Sequence, residues 1–145
     1  MSNTVPLTAV NRIVPCVLVA DDEPNVRDLI QEILEDAGYQ VLTASDGEQA
    51  MQFLRRRSVD LFIVDLVMPE QEGIETISLV RQTWPEQKIL AISGSGSLFL
   101  RVARLIGAQE TLQKPFTVDA LVEKVGALVD LPALTRSAEH SHFSR

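Results

Sequence analysis

The chain has 145 residues, 46% hydrophobic and 23% charged, a balance typical of one folded domain with tails. Its net charge of −7 lacks the basic excess that non-specific binding to nucleic acid requires, so no nucleic-acid partner is expected. The single cysteine, Cys16, excludes an intrachain disulfide and favours the reducing cytoplasm. There is neither a bilayer-length apolar run nor a signal-peptide pattern, so no membrane contact is expected.

Both ends of the chain differ in composition from its middle. Residues 1–14 mix small polar residues and proline with scattered apolar ones, and residues 131–145 are mostly small and polar. We predict tails at 1–14 and 131–145 around one domain at 15–130. Because so few residues lie outside that domain, no effector domain is expected within the chain, and its output would be another protein or a phosphoryl group passed onward in a relay.

Five short apolar runs alternate with five helical patterns along the domain. Most of the runs are continuous rather than alternating, as in parallel strands buried on both faces. The runs are Cys16–Ala20, Val41–Ala44, Leu61–Val64, Ile89–Ile92 and, more weakly, Thr111–Leu112. The helical patterns are Val26–Ala37, Asp46–Arg56, Ile74–Trp84, Ser97–Ile106 and Val118–Val129. This alternation predicts an α/β fold with a doubly wound parallel sheet, in the flavodoxin-like strand order 2-1-3-4-5.

Polar residues follow the predicted strands at the edge where such sheets bind ligands. Asp21 and Asp22 follow the first run and Asp65 the third, while Ser93 follows the fourth and Lys114 the fifth. Strands one and three are neighbours in this order, so their three carboxylates would share a crevice. Their mutual repulsion calls for a cation, and an oxygen-only ligand set suits Mg²⁺. With a lysine and a hydroxyl nearby, the set has the parts needed for phosphoryl transfer to an aspartate.

These residues together resemble the receiver domain of two-component response regulators, over roughly residues 16–129. The glycine-rich loops of nucleotide-binding α/β proteins are absent, which weakens that alternative. The motifs that carry the resemblance are Asp21-Asp22, Asp65-Leu66-Val67-Met68-Pro69, Gly73, Ser93-Gly94 and Lys114-Pro115-Phe116.

The resemblance implies a role for each acidic residue. Asp65 would be the phosphoacceptor, and a histidine kinase or a histidine phosphotransfer protein would be the phosphodonor. Asp21, Asp22 and Asp65 would hold Mg²⁺, with the backbone carbonyl of Val67 as a further ligand. Such a chain would catalyse its own phosphorylation and dephosphorylation and would not be an enzyme acting on a separate substrate.

The remaining implied roles concern the switch. Lys114 would pair with the phosphoryl group, Ser93 would move toward it, and the Lys114–Pro115 bond would be cis. The family usually has an aromatic residue three positions before the lysine, whereas this chain has Thr111. The usual aromatic switch is therefore absent, and the coupling from Ser93 to the surface is expected to differ.

The fourth helical pattern predicts an apolar surface patch. Its core-facing positions would be Leu98, Val102, Leu105 and Ile106, a set that leaves no room for both Phe99 and Leu100. We therefore expect Phe99 or Leu100 on the face formed by helix four, strand five and helix five. In receivers, this face contacts a downstream partner or forms a homodimer.

Two alternatives remain open. A degenerate receiver would act as a phosphorylation-independent binding module. A hydrolase of the haloacid-dehalogenase type also uses an aspartate after a strand, but it needs a second aspartate where this chain has Val67.

A separate feature is the run Arg55-Arg56-Arg57 at a helix end. We interpret it as complementing the negative charge of the helix C-terminus, with a phosphate-binding patch as the minority interpretation.

Overall fold

The computed structural model describes residues 14–66, 72–94 and 96–131. Its five strands form one parallel sheet in the order β2-β1-β3-β4-β5, which confirms the predicted topology. The strands are β1 (Cys16–Ala20), β2 (Gln40–Ala44), β3 (Leu61–Asp65), β4 (Ile89–Ser93) and β5 (Glu110–Gln113). Three of them, β1, β3 and β4, are buried along their whole length, as their continuous apolar runs predicted.

Five helices connect and cover the strands. They are α1 (Pro24–Asp36), α2 (Gly47–Arg56), α3 (Glu72–Thr83), α4 (Ser97–Ile106) and α5 (Val118–Leu128). The hydrophobic core has two layers, one on each face of the sheet, and alternate residues of a strand belong to opposite layers. The domain is therefore doubly wound, with α2, α3 and α4 contributing to one layer and α1 and α5 to the other.

Local chemistry fixes the start of one helix and the end of another. The side chain of Asp46 accepts a hydrogen bond from the backbone N–H of Gln49 at 2.8 Å, so it caps the start of α2. Gly38 follows α1 with a φ of 107°, a left-handed conformation that glycine adopts without steric strain. Leu131, predicted to open the C-terminal tail, packs against the core. Val14, the last residue of the predicted N-terminal tail, is half-buried, and the rest of both predicted tails, residues 1–13 and 132–145, lies outside the described residues.

The predicted core face of α4 is wrong for its two leucines, although Ile106 packs against the core as predicted. Leu98 and Leu105 are 65% and 86% exposed, whereas Leu100 and Ala103 are buried. Phe99 is 36% exposed, which confirms that one of the two residues 99 and 100 leaves apolar surface, but Leu100 is not available as an interface residue. The reason is close packing, because α4 places the small side chain of Ala103 against the sheet. The prediction instead assigned the larger leucines of the helical pattern to the core face.

Candidate functional site

The strand order brings the residues that follow β1 and β3 together. These strands are paired in register, with Ala20 opposite Val64. Asp21 directly follows β1 and Asp65 is the last residue of β3, so both carboxylates emerge at the same edge of the sheet. Asp21 also has main-chain support from a neighbouring segment, because its N–H donates to the carbonyl of Ala44 at 3.1 Å.

Three carboxylates meet at this edge. One oxygen each from Asp21, Asp22 and Asp65 lies within 4.8 Å of the others. Asp21 and Asp65 are 1% and 4% exposed, whereas Asp22 is on the surface. The cluster is thus open to solvent on the side of Asp22 and closed on the sheet side.

Lys114 brings a positive charge to this cluster from the loop after β5. Its Nζ lies 2.9 Å from Oδ2 of Asp65 and 3.5 Å from Oδ2 of Asp21. Partial burial acts to lower the pKa of Lys114, but its hydrogen bond and charge interaction with Asp65, followed by those with Asp21, outweigh this and raise it. Lys114 therefore stays protonated at neutral pH and offsets part of the acidic charge.

Burial dominates the electrostatics of Asp21. The pKa of Asp21 is raised to about 6, chiefly because burial removes water from its charged form. The negative charge of Asp65 also raises this pKa, whereas the backbone N–H of Glu23, which donates to Oδ1 at 2.9 Å, and the ammonium group of Lys114 act to lower it. One lysine thus compensates only part of the acidic charge at the site.

The donor set fits Mg²⁺. Hard oxygen ligands from a few carboxylates, with room for water and phosphate oxygens, are what this ion takes in proteins. Two buried carboxylates, Asp21 and Asp65, share the single ammonium group of Lys114, and a divalent cation would supply the remaining positive charge. Val67, the further ligand implied by the resemblance, lies outside the described residues.

Ser93 and Thr111 occupy neighbouring strands beside the site. Ser93 is fully buried at the end of β4, and its carbonyl accepts a hydrogen bond from the backbone N–H of Lys114 at 2.9 Å. The Lys114–Pro115 bond is cis, as the resemblance implied. Thr111 on β5 is half-buried and pairs in register with Ala91 of β4, two residues before Ser93.

Two supporting residues were missed by the sequence reasoning. Arg27 on α1 donates from Nη1 to the backbone carbonyl of Asp21 at 2.7 Å. Glu72, at the start of α3, accepts from the backbone N–H of Gly47 at 2.8 Å and so joins α3 to the start of α2. Charged residues on helices usually face water, and neither position carries a sequence signal that would separate it from an ordinary surface charge.

Comparison with known proteins identifies the family to which this site belongs. Residues 17–126 match the family model of the response regulator receiver domain. The chain belongs to this family. The match runs from β1 into α5, so it includes all four strand ends that form the site.

The sequence relatives of this receiver are regulators with longer chains. It is 37% identical over 114 residues to the transcriptional regulatory protein CpxR of Escherichia coli K12, covering 78% of this chain and 48% of CpxR. It is 35% identical to the alkaline phosphatase synthesis regulator PhoP of Bacillus subtilis, with the same coverage. The chain thus spans about half the length of the curated relatives it matches.

Solved receiver structures share the fold over nearly their whole length. A CheY-like receiver from Methanospirillum hungatei is 25% identical with a TM-score of 0.76, covering 81% of this chain and 94% of that one. The response regulator TrrA of Thermotoga maritima, solved in complex with Mg²⁺ and BeF, is 34% identical with a TM-score of 0.73. That alignment covers 79% of this chain and 99% of TrrA.

Among the described residues, no helix is both long and apolar enough to span a bilayer.

Proposed function

We propose that this receiver accepts a phosphoryl group on Asp65 from a histidine kinase or a histidine phosphotransfer protein and signals through protein contacts. The observation that carries the proposal is the geometry around Asp65. Its carboxylate lies 2.9 Å from the Nζ of Lys114 and shares a cluster with Asp21 and Asp22. A nucleophile, a fixed cation and a set of metal ligands thus lie within reach of one phosphoryl group.

In the proposed transfer, a carboxylate oxygen of Asp65 attacks the phosphorus atom of a phosphohistidine. The O–P bond forms as the N–P bond breaks, and the imidazole nitrogen leaves with the electron pair. Mg²⁺, when bound by Asp21, Asp22 and Asp65, supplies charge that stabilises the transferring phosphoryl oxygens. The side chains of Asp21 and Asp22 orient this charge, and the burial of Asp21 limits competing water.

Lys114 and Ser93 would respond to the new phosphoryl group. The ammonium group of Lys114, now bound to Asp65, would pair with a phosphoryl oxygen. The hydroxyl of Ser93, buried at the neighbouring strand end, would donate a hydrogen bond to another. Because Thr111 has no ring to turn inward, we infer that the change reaches the surface through backbone shifts of β4 and β5.

The output surface would be the face formed by α4, β5 and α5. Leu98, Phe99 and Leu105 expose apolar surface along α4, and Leu105 is 86% exposed. Such a row favours a protein partner or a second copy of the chain. Phe99 keeps the interface role predicted for it, and Leu98 and Leu105 take the place of Leu100.

The test of the chemistry is incubation with Mg²⁺ and acetyl phosphate, followed by intact-mass measurement. We expect one added phosphoryl group on the wild type and none on Asp65→Asn. The matched control is Asp28→Asn, an exposed carboxylate on α1 that should label like the wild type. Omitting Mg²⁺ or adding EDTA should abolish labelling.

The two alternatives predict different results. A wild type that does not label under these conditions would contradict the proposal and favour the degenerate receiver, which binds partners without phosphorylation. Labelling that persists in Asp65→Asn would place the acceptor elsewhere. Steady release of phosphate from added phosphomonoesters would favour the haloacid-dehalogenase type, although Val67 stands where that class needs an aspartate.

A further inference from the structure

Three consecutive arginines end α2, and the phosphoacceptor site does not use them. Arg55, Arg56 and Arg57 are all exposed. Within the described residues, none of their guanidinium groups makes a hydrogen bond or an ion pair, although Arg104 and both paired lysines of the domain do. In a chain of net charge −7, a group of three arginines without partnered carboxylates is unusual.

These arginines line a groove of about 380 Å³ between the end of α2 and the end of α3. Trp84, which follows α3, also lines this groove, together with Val59 and Gln87. Among the described residues, no acidic one lines the groove. Its volume lies within the range of small-molecule sites, roughly 300–1,000 Å³.

Complementing the helix C-terminus does not account for this much charge. The end of a helix carries the equivalent of about half a negative charge, whereas three guanidinium groups carry three positive ones. Guanidinium groups also present planar pairs of N–H donors that match phosphate oxygens better than they match single carbonyls. A substantial positive charge is therefore left to act on a ligand in the groove.

Trp84 adds a flat apolar surface to the basic wall. One side of its indole packs against the core, and the side chain is only half-buried. Trp84 is also one of the residues that line the groove with the arginines. An accessible indole ring can stack on planar rings, and such stacking contributes to binding of nucleobases.

Acidic side chains flank the groove and limit the size of its ligand. A neighbouring groove, which shares Val59 and Gln87, is lined by Asp60, Glu86 and Asp130. On the other side, Arg55 also borders a groove that contains Glu48, Glu72 and Glu75. A long polyanion such as a nucleic acid would run into these carboxylates, whereas a compact anion would not.

We propose that the groove between Arg55-Arg56-Arg57 and Trp84 binds a nucleotide, with its phosphates on the arginines and its base against the indole. The groove lies at the opposite end of the sheet from Asp65. Val59 and Gln87 come shortly before β3 and β4 begin, whereas Asp65 is the last residue of β3. The strand β3 alone, from Leu61 to Asp65, is about 13 Å long. This site is separate from the phosphoacceptor and does not depend on its proposed function.

The test uses the fluorescence of Trp84, the only tryptophan in the chain. The full chain is titrated with ATP at low ionic strength in the presence of EDTA. The EDTA removes Mg²⁺-dependent binding at the carboxylate cluster. We expect saturable quenching by ATP and weaker binding of pyrophosphate, which lacks the ring. Adenosine, which lacks the phosphates, should not bind measurably.

Variants then test the residues. The combined change Arg55→Gln, Arg56→Gln and Arg57→Gln should weaken ATP binding by about tenfold or more, because it removes the charged phosphate donors. The control Arg101→Gln, an exposed arginine on α4, should bind like the wild type. Urea denaturation followed by circular dichroism establishes that each variant is folded.

Several outcomes would overturn the proposal. They are a wild type that gives no saturable response to ATP, a triple variant with wild-type affinity, and an equal loss in Arg101→Gln. Equal affinities for ATP and pyrophosphate would remove the role of Trp84 and the base. Quenching by a poly-glutamate peptide but not by ATP would make the groove a protein-docking surface instead.

Discussion

A Cβ atom on Gly73 would lie 2.6 Å from the backbone carbonyl oxygen of Asp65 and 2.8 Å from the Cα of Leu66. The first turn of α3 therefore rests directly on the end of the strand that carries the candidate phosphoacceptor. Both neighbours are backbone atoms, so neither can give way by a change of rotamer. This contact requires glycine for its missing side chain and couples the position of Asp65 to that of α3.

We expect Gly73→Ala to lower the free energy of unfolding by about 1–3 kcal/mol, as overpacking usually does. It should also slow labelling of Asp65 by acetyl phosphate. The control is Gly126→Ala in α5, where an added Cβ meets no atom within 4 Å. That change should raise stability by about 0.5–1 kcal/mol, because alanine favours a helix. Urea denaturation measures both, and equal effects of the two substitutions would contradict the contact.

Asp21 should make the metal-free protein less stable as the pH rises. The pKa of Asp21 in the folded chain is about 6, above its ordinary value of 3.8, mainly because of burial. The folded state therefore binds this proton more tightly than the unfolded state. Asp21 consequently lowers the free energy of unfolding as the pH increases from about 4 to about 7.

In EDTA at pH 8, Asp21→Asn should therefore be more stable than the wild type, on the order of 1–3 kcal/mol. At pH 4 this difference should be small. The control Asp28→Asn, an exposed carboxylate, should show no such pH dependence. Urea denaturation of the three proteins at both pH values decides the matter, and a stability difference that does not change with pH would refute the role of burial.

Glu72 should act as a positioning residue for the start of α2. Its carboxylate accepts a hydrogen bond from the buried Gly47 N–H, a donor that has no partner within its own helix and lies at the positive end of that helix. We expect Glu72→Ala to lower stability by about 1–3 kcal/mol. It should also weaken Mg²⁺ binding, because α3 begins at Glu72 and contacts the backbone of Asp65 through Gly73. Glu72→Gln, which keeps an acceptor oxygen, should recover most of both.

The matched control for Glu72 is Glu75→Ala, an exposed glutamate one turn further along α3. Thermal denaturation with increasing Mg²⁺ reports stability and metal binding in one experiment. A Glu72→Gln protein as impaired as Glu72→Ala would show that charge, not the hydrogen bond, is what matters. An Ala variant with wild-type Mg²⁺ affinity would limit Glu72 to a role in stability.

The exposed leucines of α4 should matter for association and not for folding. We expect Leu105→Glu to change stability by less than about 0.5 kcal/mol, since the side chain is 86% exposed. After incubation with acetyl phosphate and Mg²⁺, it should reduce self-association in sedimentation velocity, as should Phe99→Glu. Leu79→Glu on α3, 49% exposed, is the control. Identical sedimentation of all four proteins would argue against this face as an interface.

The fold was predictable because the buried strands leave a strong signal. Continuous apolar runs such as Leu61–Val64 occur where a strand is covered on both faces, and the helices between them required parallel pairing. The weakest run became β5, which lies at the edge of the sheet and carries the exposed Gln113. An edge strand needs less apolar character, so its signal is shorter.

The site was predictable where a residue's position along a strand determines its place in space. Asp21, Asp65, Ser93 and Lys114 all follow or end strands, and parallel strands end at a common edge. The supporting contacts of Arg27 and Glu72 depend on how helices pack, which periodicity does not specify. The face of α4 was mispredicted for a related reason, since the small Ala103 is the residue that fits against the sheet.

Glu110 on β5 holds two cations at once, Arg104 of α4 at 3.0 Å and Lys124 of α5 at 2.9 Å, through the same oxygen. All three side chains are partly exposed, so each pair contributes little to stability, about 0–1 kcal/mol. Both cations lower the pKa of Glu110, chiefly Lys124 through its hydrogen bond. If α4 moves and Arg104 withdraws, the carboxylate remains paired with Lys124. One helix of this face can therefore slide past the other without leaving the Glu110 carboxylate unpaired, because Lys124 keeps its own hold on that oxygen.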